Sequence, residues 1–366
     1  MNIAFVIPSF GPGGAERVAS LLCNFWSSRG NAVTAIAFDS PLAKPFHVLD
    51  PAVELRKIDA LNVRFDLPSR AVTNVRRLFR LRSLLRLLQP NVIVSFTTEA
   101  NLVALMAGYG LGVPVVVSER NQPDRPGLDR LSKMARSLCY PNAAGLVVQT
   151  EALAAWARRH YRVPVFVVPN PIHPSKRMHA RPSDRRDTLN LVAVGRLVRQ
   201  KGYDLLVESF ASLAAMYKDW QLTIYGDGPE RPSLQARIDH YDLQGRIFLP
   251  GLRKGIQTVL AEADLFVHPS RYEGFPNALM EALASGCPVV ASACDGTTDI
   301  LGGGQYGLLV PVENVEALSA ALAQMMSSPA LRATYAEQAP QSVAQFDIEI
   351  IGERWLNLLA MVTDKR

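Results

Sequence analysis

The chain lacks any cysteine pairing. Its four cysteines, Cys23, Cys139, Cys287 and Cys294, form no Cys-x-x-Cys spacing and sit in apolar stretches. That excludes a disulfide framework and predicts reduced, buried thiols in a cytoplasmic protein. The six histidines are scattered, no His/Cys group has metal-ligand spacing, and no Asp-x-Asp occurs, so no metal is expected. No basic n-region precedes the first apolar run, and Pro8 breaks it, so Met1–Pro8 reads as a strand rather than a signal peptide. The longest uncharged stretch, Ala100 to Ser118, contains Gly108, Gly110, Gly112 and Pro114. It divides into helix, loop and strand and does not read as a membrane span. Basic residues are not interleaved with aromatics in a recognisable module, which argues against a nucleic-acid partner.

What is present predicts two domains. At 366 residues, 48% hydrophobic and 20% charged, the chain has the size and composition of two ordinary globular cores. Strand-like runs fall at Ile3–Ile7, Ala32–Phe38, Val53–Lys57, Val92–Phe96, Val113–Val117, Gly145–Val148 and Val165–Val168. After a segment with four prolines from Pro169 to Thr188, they resume at Leu189–Val194, Gln221–Tyr225, Ile247–Leu249, Leu265–Val267, Pro288–Ala291 and Gly307–Val310. Helical stretches are expected at Gly202–Tyr217, Glu230–His240, Val315–Ser327, Leu331–Glu337 and Ile348–Val362. Alternating strands and helices imply parallel sheets covered on both faces. The expected fold is α/β, two Rossmann-like domains facing across a cleft. The first domain spans 1–170, a linker 171–188, the second domain 189–345, and a final helix 346–366. Charge is uneven: residues 1–170 hold 20 Lys and Arg against 11 Asp and Glu, net +9, whereas the remainder is net −3. A basic first half suggests an anionic partner there.

The segment from Asp264 to Ala293 carries the most chemistry. A strand ends at Pro269, a loop follows, Pro276 suits a first helical turn, and Leu279, Ala282 and Leu283 share one helical face before Gly286. Backbone N–H groups at Gly274, Asn277 and Ala278, with the helix dipole behind them, favour a phosphate. Glu273 in the loop and Glu281 in the helix can each accept from hydroxyls, and a phosphate flanked by two polyols describes a nucleotide sugar. Either glutamate alone reads as a solvated charge; the pair in one loop and helix between two apolar strands favours a site. His268 could face the same crevice or simply pack. The first βα turn, Ser9 to Arg17, tempts a dinucleotide reading, but the third glycine of that fingerprint would fall at Glu16. Gly13 and Gly14 still allow a close backbone approach. After the strand ending at Val194, Arg196 and Lys201 bracket a loop flanked by Gly195 and Gly202, where both could reach one diphosphate. The Gly226-Asp-Gly-Pro-Glu turn fits the same rim.

Together these motifs resemble the retaining glycosyltransferases of family 4, with the two-domain GT-B fold, over nearly the whole chain. The resemblance rests on Gly-Gly-Ala-Glu-Arg at 13–17, Gly-Arg-Leu then Gln-Lys-Gly at 195–202, Gly-Asp-Gly-Pro at 226–229, and the Glu273/Glu281 pair. It implies that Arg196 and Lys201 neutralise a departing nucleoside diphosphate. Glu273 would position sugar hydroxyls, helped by the backbone from Gly274 through Phe275, Asn277 and Ala278 to Leu279, and Glu281 would hold the ribose. Gly195 and Gly226 would line the donor side, Gly13 and Gly14 the acceptor side. The final helix would cross back to the first domain. Many members carry a histidine after an N-domain strand; here Val117-Ser-Glu-Arg-Asn-Gln has none, and Glu119, Arg120 or Asn121 is expected to stand in its place.

The form resembles bacterial enzymes of lipid-linked surface-glycan assembly. The implied activity moves a hexose or N-acetylhexosamine, from a UDP-sugar first and GDP-mannose next, to a polyprenyl-diphosphate-linked saccharide, with no cofactor beyond the sugar donor. A glycoside hydrolase would not need the Arg196/Lys201 pair. An epimerase would need no acceptor, and a sugar-nucleotide sensor would bind without turnover. Between Arg70 and Gln89, Leu78, Leu81, Leu85 and Leu88 share a helical face, with Arg76, Arg77, Arg80, Arg82 and Arg86 around it. That pattern predicts peripheral association with an anionic membrane surface on its inner face, or leucines packed on the sheet with arginines solvated.

Overall fold

The computed structural model describes residues 1–58, 67–120, 130–173 and 188–364; for 67–74, 130 and 131 it describes the backbone alone. Asn121 and residues 174–187 of the linker therefore lie outside the described residues. The chain divides into two compact units, Met1–Pro171 with Ile348–Arg366, and Ile172–Asp347.

In the first unit, β1 (Asn2–Ile7) leads to α1 (Gly14–Ser28), β2 (Ala32–Ala37) and β3 (Glu54–Lys57). Then come α2 (Leu67–Leu88), β4 (Val92–Phe96), α3 (Thr98–Gly108), β5 (Val115–Ser118) and α4 (Arg130–Cys139). The unit's strands end with β6 (Gly145–Val148), α5 (Glu151–His160) and β7 (Val165–Val167). The described strands form one parallel sheet in the order β3-β2-β1-β4-β5-β6-β7. The β1 sequence Asn-Ile-Ala-Phe-Val-Ile is apolar on both faces because both are covered. Ile3, Phe5 and Ile7 enter one core, and Ala4 and Val6 the core on the opposite face. On α2 the leucine face packs inward: Leu81 and Leu85 are buried in that second core and Leu78 and Leu88 lie against it.

The second unit repeats the plan. It runs through β8 (Leu189–Val194), α6 (Tyr203–Leu213), β9 (Trp220–Tyr225), α7 (Arg231–His240), β10 (Ile247–Gly251) and α8 (Ile256–Glu262). Next are β11 (Leu265–His268), α9 (Asn277–Ala284), β12 (Val289–Ser292), α10 (Asp295–Ile300) and β13 (Leu308–Val310). Then α11 (Val315–Ser327) and α12 (Pro329–Val343) close the unit, before α13 (Ile348–Asp364). The sheet order is β10-β9-β8-β11-β12-β13, again parallel. Every strand read from the sequence is a strand, with ends displaced by at most two residues. Two helices differ more: α6 stops at Leu213, and α12 runs through Pro340 to Val343. The lost hydrogen bond at a helix proline is offset there by burial of Ala339, Ser342 and Val343.

The final helix packs within the first unit. Trp355 is fully buried, 6.0 Å from Trp26 and 5.8 Å from Phe96 between ring centres, with Ile351 and Leu359 in the same core. Gly352 is required by contact: a Cβ there would lie 2.3 Å from a ring carbon of Phe25. Arg29 pairs with Glu349 and, at 3.1 Å, with Glu353.

Candidate functional site

In each sheet the chain leaves the first strand in one direction, returns, and continues on the other side. The point of reversal, between β8 and β11 in the second unit, opens a crevice at the carboxyl ends of the strands, where open α/β sheets hold ligands. The loops after those two strands carry Lys201 and Glu273, and the structure joins them. Lys201 Nζ lies 2.6 Å from Glu273 Oε1. Ser270 Oγ donates to the same oxygen at 2.7 Å, and His268 Nε2 is 3.3 Å from it. Burial by itself would raise the Glu273 carboxyl, but Lys201 and the His268 hydrogen bond hold it well below the usual carboxylate range. Burial pushes the His268 imidazole down, so it is neutral at pH 7.

The loops are held tightly. Gly202 (φ +65°) lies against β11's exit, where a Cβ would fall 2.0 Å from the Pro269 carbonyl oxygen. Gly226 approaches Gly195 so closely that a Cβ would fall 1.8 Å from its carbonyl oxygen. Neither position accepts a side chain. Gln200 Nε2 donates to the Tyr272 carbonyl at 2.9 Å, and the Arg271 N–H to the Gln200 carbonyl at 2.8 Å. Arg271 also forks onto Asp204 with two bonds of 2.8 Å. The carboxylate is thus delivered by a braced loop.

Arg196 is placed differently from Lys201. It is exposed, and its side chain makes no hydrogen bond or ion pair to a described residue. Beyond Glu273, Gly274 is half-buried and Pro276 precedes α9 without a side-chain cap, while the first turn carries no acid. Asn277 and Ala278 are half-buried at that helix start. Phe275 and Leu279 are core residues, Phe275 edge-on to Phe346 at 5.1 Å, so only their backbone can serve a ligand. Glu281 is 5% exposed, which removes the solvated-helix alternative.

The first unit's reversal lies between β1 and β4. Gly13 is the residue before α1, and Gly14 is exposed at its start. The Glu16 carboxylate folds back over Gly13; a Cβ there would lie 2.1 Å from Oε2. After β4, Thr97 adopts φ 76° and ψ 147°, a region open essentially to glycine alone, and its buried hydroxyl has no hydrogen-bond partner among the described residues.

Glu119 does not stand free in the place expected of it. It is 5% exposed, accepts from the Thr98 hydroxyl at 3.0 Å and from the Tyr140 hydroxyl, and lies 3.9 Å from buried Arg136. Its carboxylate organises a buried network with Asn101 and Ser95 and braces the ends of β4 and β5. Arg120 is oriented by Asn170 at 2.6 Å and stacks 3.8 Å over Phe96. Its Nε and Nη2 are buried without a partner among the described residues, and burial lowers the guanidinium to about 9.

Sequence reasoning missed Ser270, Tyr140 and Arg136 as partners of the two carboxylates. Ser270 had a signal, a hydroxyl two residues past a strand that ends on histidine. On α2, Arg77 is buried against Glu99, and Arg82 Nη1 donates to the Ala107 and Tyr109 carbonyls. Arg76, Arg80 and Arg86 are exposed, alongside exposed Val75, Phe79 and Leu87. Among the described residues no group of three or more His, Cys, Asp or Glu could hold a metal ion. No described helix is long and apolar enough to cross a membrane.

Comparison with known proteins bears on the family and the fold. The family model described as Glycosyltransferase Family 4 matches residues 12–176, and that described as Glycosyl transferases group 1 matches 176–342. The chain is 26% identical, over 99% of each chain, to a Campylobacter jejuni enzyme. That relative is named GalNAc-alpha-(1->4)-GalNAc-alpha-(1->3)-diNAcBac-PP-undecaprenol alpha-1,4-N-acetyl-D-galactosaminyltransferase. It is 27% identical, over 95% of this chain and 96% of the relative, to the lipopolysaccharide core biosynthesis glycosyltransferase LpsE of Rhizobium meliloti. In fold it is similar to sucrose-phosphate synthase from Thermosynechococcus elongatus, with TM-score 0.87 at 19% identity and full coverage of both chains. It is likewise similar to Anabaena HepE in complex with UDP and glucose, with TM-score 0.84 at 19% identity over 98% of this chain and 99% of that one.

Proposed function

The chain belongs to the GT-B glycosyltransferases, family 4 in its first half and group 1 in its second, and on that premise we propose a donor, an acceptor and a mechanism. The donor is a nucleotide sugar, a UDP-sugar first and GDP-mannose next. The acceptor is a polyprenyl-diphosphate-linked saccharide of bacterial surface-glycan assembly, the class named for the Campylobacter jejuni relative. The observation that carries the reading is the Lys201–Glu273 pair, which joins the two loops at the reversal of the second sheet.

Its chemistry follows from where charge develops. Breaking the anomeric C–O bond leaves positive charge on the sugar and negative charge on the diphosphate. Arg196, exposed and unpaired among the described residues, supplies uncompensated positive charge, while Lys201 shares its charge with Glu273. The start of α9 offers backbone N–H groups to the same anion. Glu273 accepts from a sugar hydroxyl and Glu281 from the ribose. Transfer proceeds with retention, the acceptor attacking from the face the diphosphate leaves and a phosphate oxygen taking its proton. These groups do the work assigned elsewhere to a divalent cation, so no metal is required.

In the first unit, Arg120 and the loops bearing Gly13, Gly14 and Thr97 receive the acceptor. The exposed face of α2, where Arg76, Arg80 and Arg86 alternate with Val75, Phe79 and Leu87, docks on an anionic membrane. Each arginine contributes about 1 kcal/mol near such a surface, and less as salt rises.

Melting shifts with UDP, GDP, ADP and their sugars identify the donor. Product analysis with a polyprenyl-diphosphate-linked saccharide, with and without EDTA, then tests the rest. Full loss of transfer on chelation, restored by Mg²⁺ or Mn²⁺, overturns the metal-free mechanism; an inverted product overturns retention. Equal flotation with neutral and anionic vesicles, or none at low salt, removes the docking surface and favours a soluble acceptor.

A further inference from the structure

We propose that His268 is a positioning residue for transfer: together with Ser270 it pins Oε1 of Glu273, so that Oε2 alone is presented to the donor sugar. The inference rests on the reading of Glu273 as the carboxylate that meets that sugar.

Three groups converge on Oε1: Lys201 Nζ at 2.6 Å, Ser270 Oγ at 2.7 Å and His268 Nε2 at 3.3 Å. No described residue hydrogen-bonds Oε2. His268 is 2% exposed and Ser270 fully buried.

Proton counting fixes the tautomer. A serine hydroxyl has one proton, and Ser270 gives it to Glu273 at the shorter distance. Its oxygen must then accept at the 3.2 Å contact with His268 Nε2. Both neighbours of Nε2 are therefore acceptors, and the neutral ring must carry its proton on that nitrogen. Phe266 stacks nearly parallel to the imidazole, at 17° and 6.3 Å, and fixes its plane. The charged and titratable groups facing this cluster are Lys201 from the loop after β8, Tyr203 from α6 and Cys294 before α10. Burial and Glu273 push the tyrosine and thiol up, so both are neutral at neutral pH. A carboxylate free to rotate would offer either oxygen in either orientation. One saturated on one side presents a single lone-pair direction, and a misplacement of about 1 Å can cost on the order of 10² in rate.

The test uses the full chain with His268→Leu, His268→Gln, Ser270→Ala and, as reference, Glu273→Gln. His268→Leu keeps the apolar packing and removes the hydrogen bond; the amide of His268→Gln can restore a donor. Expected is a fall in kcat on the order of 10²-fold for the leucine variant, unchanged affinity for UDP (or GDP, whichever the melting shifts select), and recovery of most of the loss in the glutamine variant. ¹⁵N NMR of the wild-type protein should show the His268 ring protonated on Nε2. Normal kcat in His268→Leu beside a dead Glu273→Gln overturns the positioning role, as does an Nδ1-protonated ring. Normal turnover in Glu273→Gln overturns instead the reading on which it rests. If the leucine variant does not fold, the wild-type ring tautomer with the kcat of Ser270→Ala and His268→Gln decides: unchanged kcat in Ser270→Ala, or an Nδ1-protonated ring, overturns it.

Discussion

At the reversal of the first sheet the chain answers its own charge. Glu16 folds over Gly13 at the start of α1, and Glu119 is enclosed by Thr98, Tyr140 and Arg136. At the reversal of the second sheet, no acid sits in the first turn of α9, and among the described residues Arg196 has no partner and Glu273 is held by one oxygen only. The unusual backbone differs as well. Around the second reversal the positive φ values belong to Gly195, Gly202 and Gly226, whereas beside the first one belongs to Thr97. Two sheets of the same topology are thus finished for different guests. The second leaves charge available where a leaving anion would sit. The first is largely charge-satisfied and keeps one strained hydroxyl and one half-satisfied arginine, which suits the hydroxylated saccharide end of the proposed acceptor.

The contrast between Arg196 and Lys201 breaks first if it is wrong. Either change to alanine should lower turnover by about 10²- to 10³-fold, the usual loss for one donor to a developing anion. Only Lys201→Ala should also lower the melting temperature, because it leaves a buried carboxylate without its cation. Steady-state kinetics and calorimetric melting of both variants check this, and equal melting losses would erase the distinction between a free and a built-in charge.

Next in size is a division within the second unit. Glu273→Gln should impair transfer far more than binding of the bare nucleoside diphosphate, while Glu281→Gln should weaken both. Titration calorimetry with the nucleoside diphosphate separates them; matching losses would contradict the separate assignment of sugar and ribose.

At the first reversal, Thr97→Gly should raise stability by about 1–3 kcal/mol, the cost of a residue held in sparsely populated backbone space, and slow transfer. Denaturant unfolding and rate measurements should therefore move in opposite directions. A glycine variant that is less stable would mean the threonine is held by contacts rather than kept for a substrate.

How much of this was legible depends on how far apart the partners lie. The strands announce themselves as apolar runs, and Glu273, Glu281, Arg196 and Lys201 stand out through their glycines and their place after strands. Those are local signals. That Lys201 would close on Glu273 is not local, since the residues are 72 positions apart and meet only because β8 and β11 are neighbours. Glu119 reads as an available carboxylate for the same reason: Tyr140 and Arg136 arrive from other elements to enclose it. Glu281 taken alone could be a solvated helix charge until α9 is seen with Leu279 through Ala284 all buried. Pro340 predicts an earlier end for α12 than tertiary packing allows.

The smallest expected effect is on acid stability, and it too divides between the units. Burial lowers His268 below 6.5, and burial with Arg17 lowers His47 to about 4. Each binds a proton more readily in the unfolded chain, so stability present above pH 6.5 is lost as the pH falls from there toward the folded values. Glu273, lowered from 4.5, adds a further loss below that pH. Melting curves from pH 8 to 4 should show a first decline that His268→Gln removes only in part, His47 keeping the rest. An unaltered profile would place the first decline outside the second unit.

The last helix has a consequence for how the molecule comes into being. Ile172 and Asp347, where the chain enters and leaves the second unit, form a single parallel bridge, and α13 then supplies Trp355 and Ile351 to the first unit's core. The second unit is in effect an insert with adjoining ends. On the ribosome its strands are complete while the first sheet still exposes the face that Trp26 and Phe96 line. The half translated first is finished last, and until the final turns emerge that apolar face is what a chaperone would find.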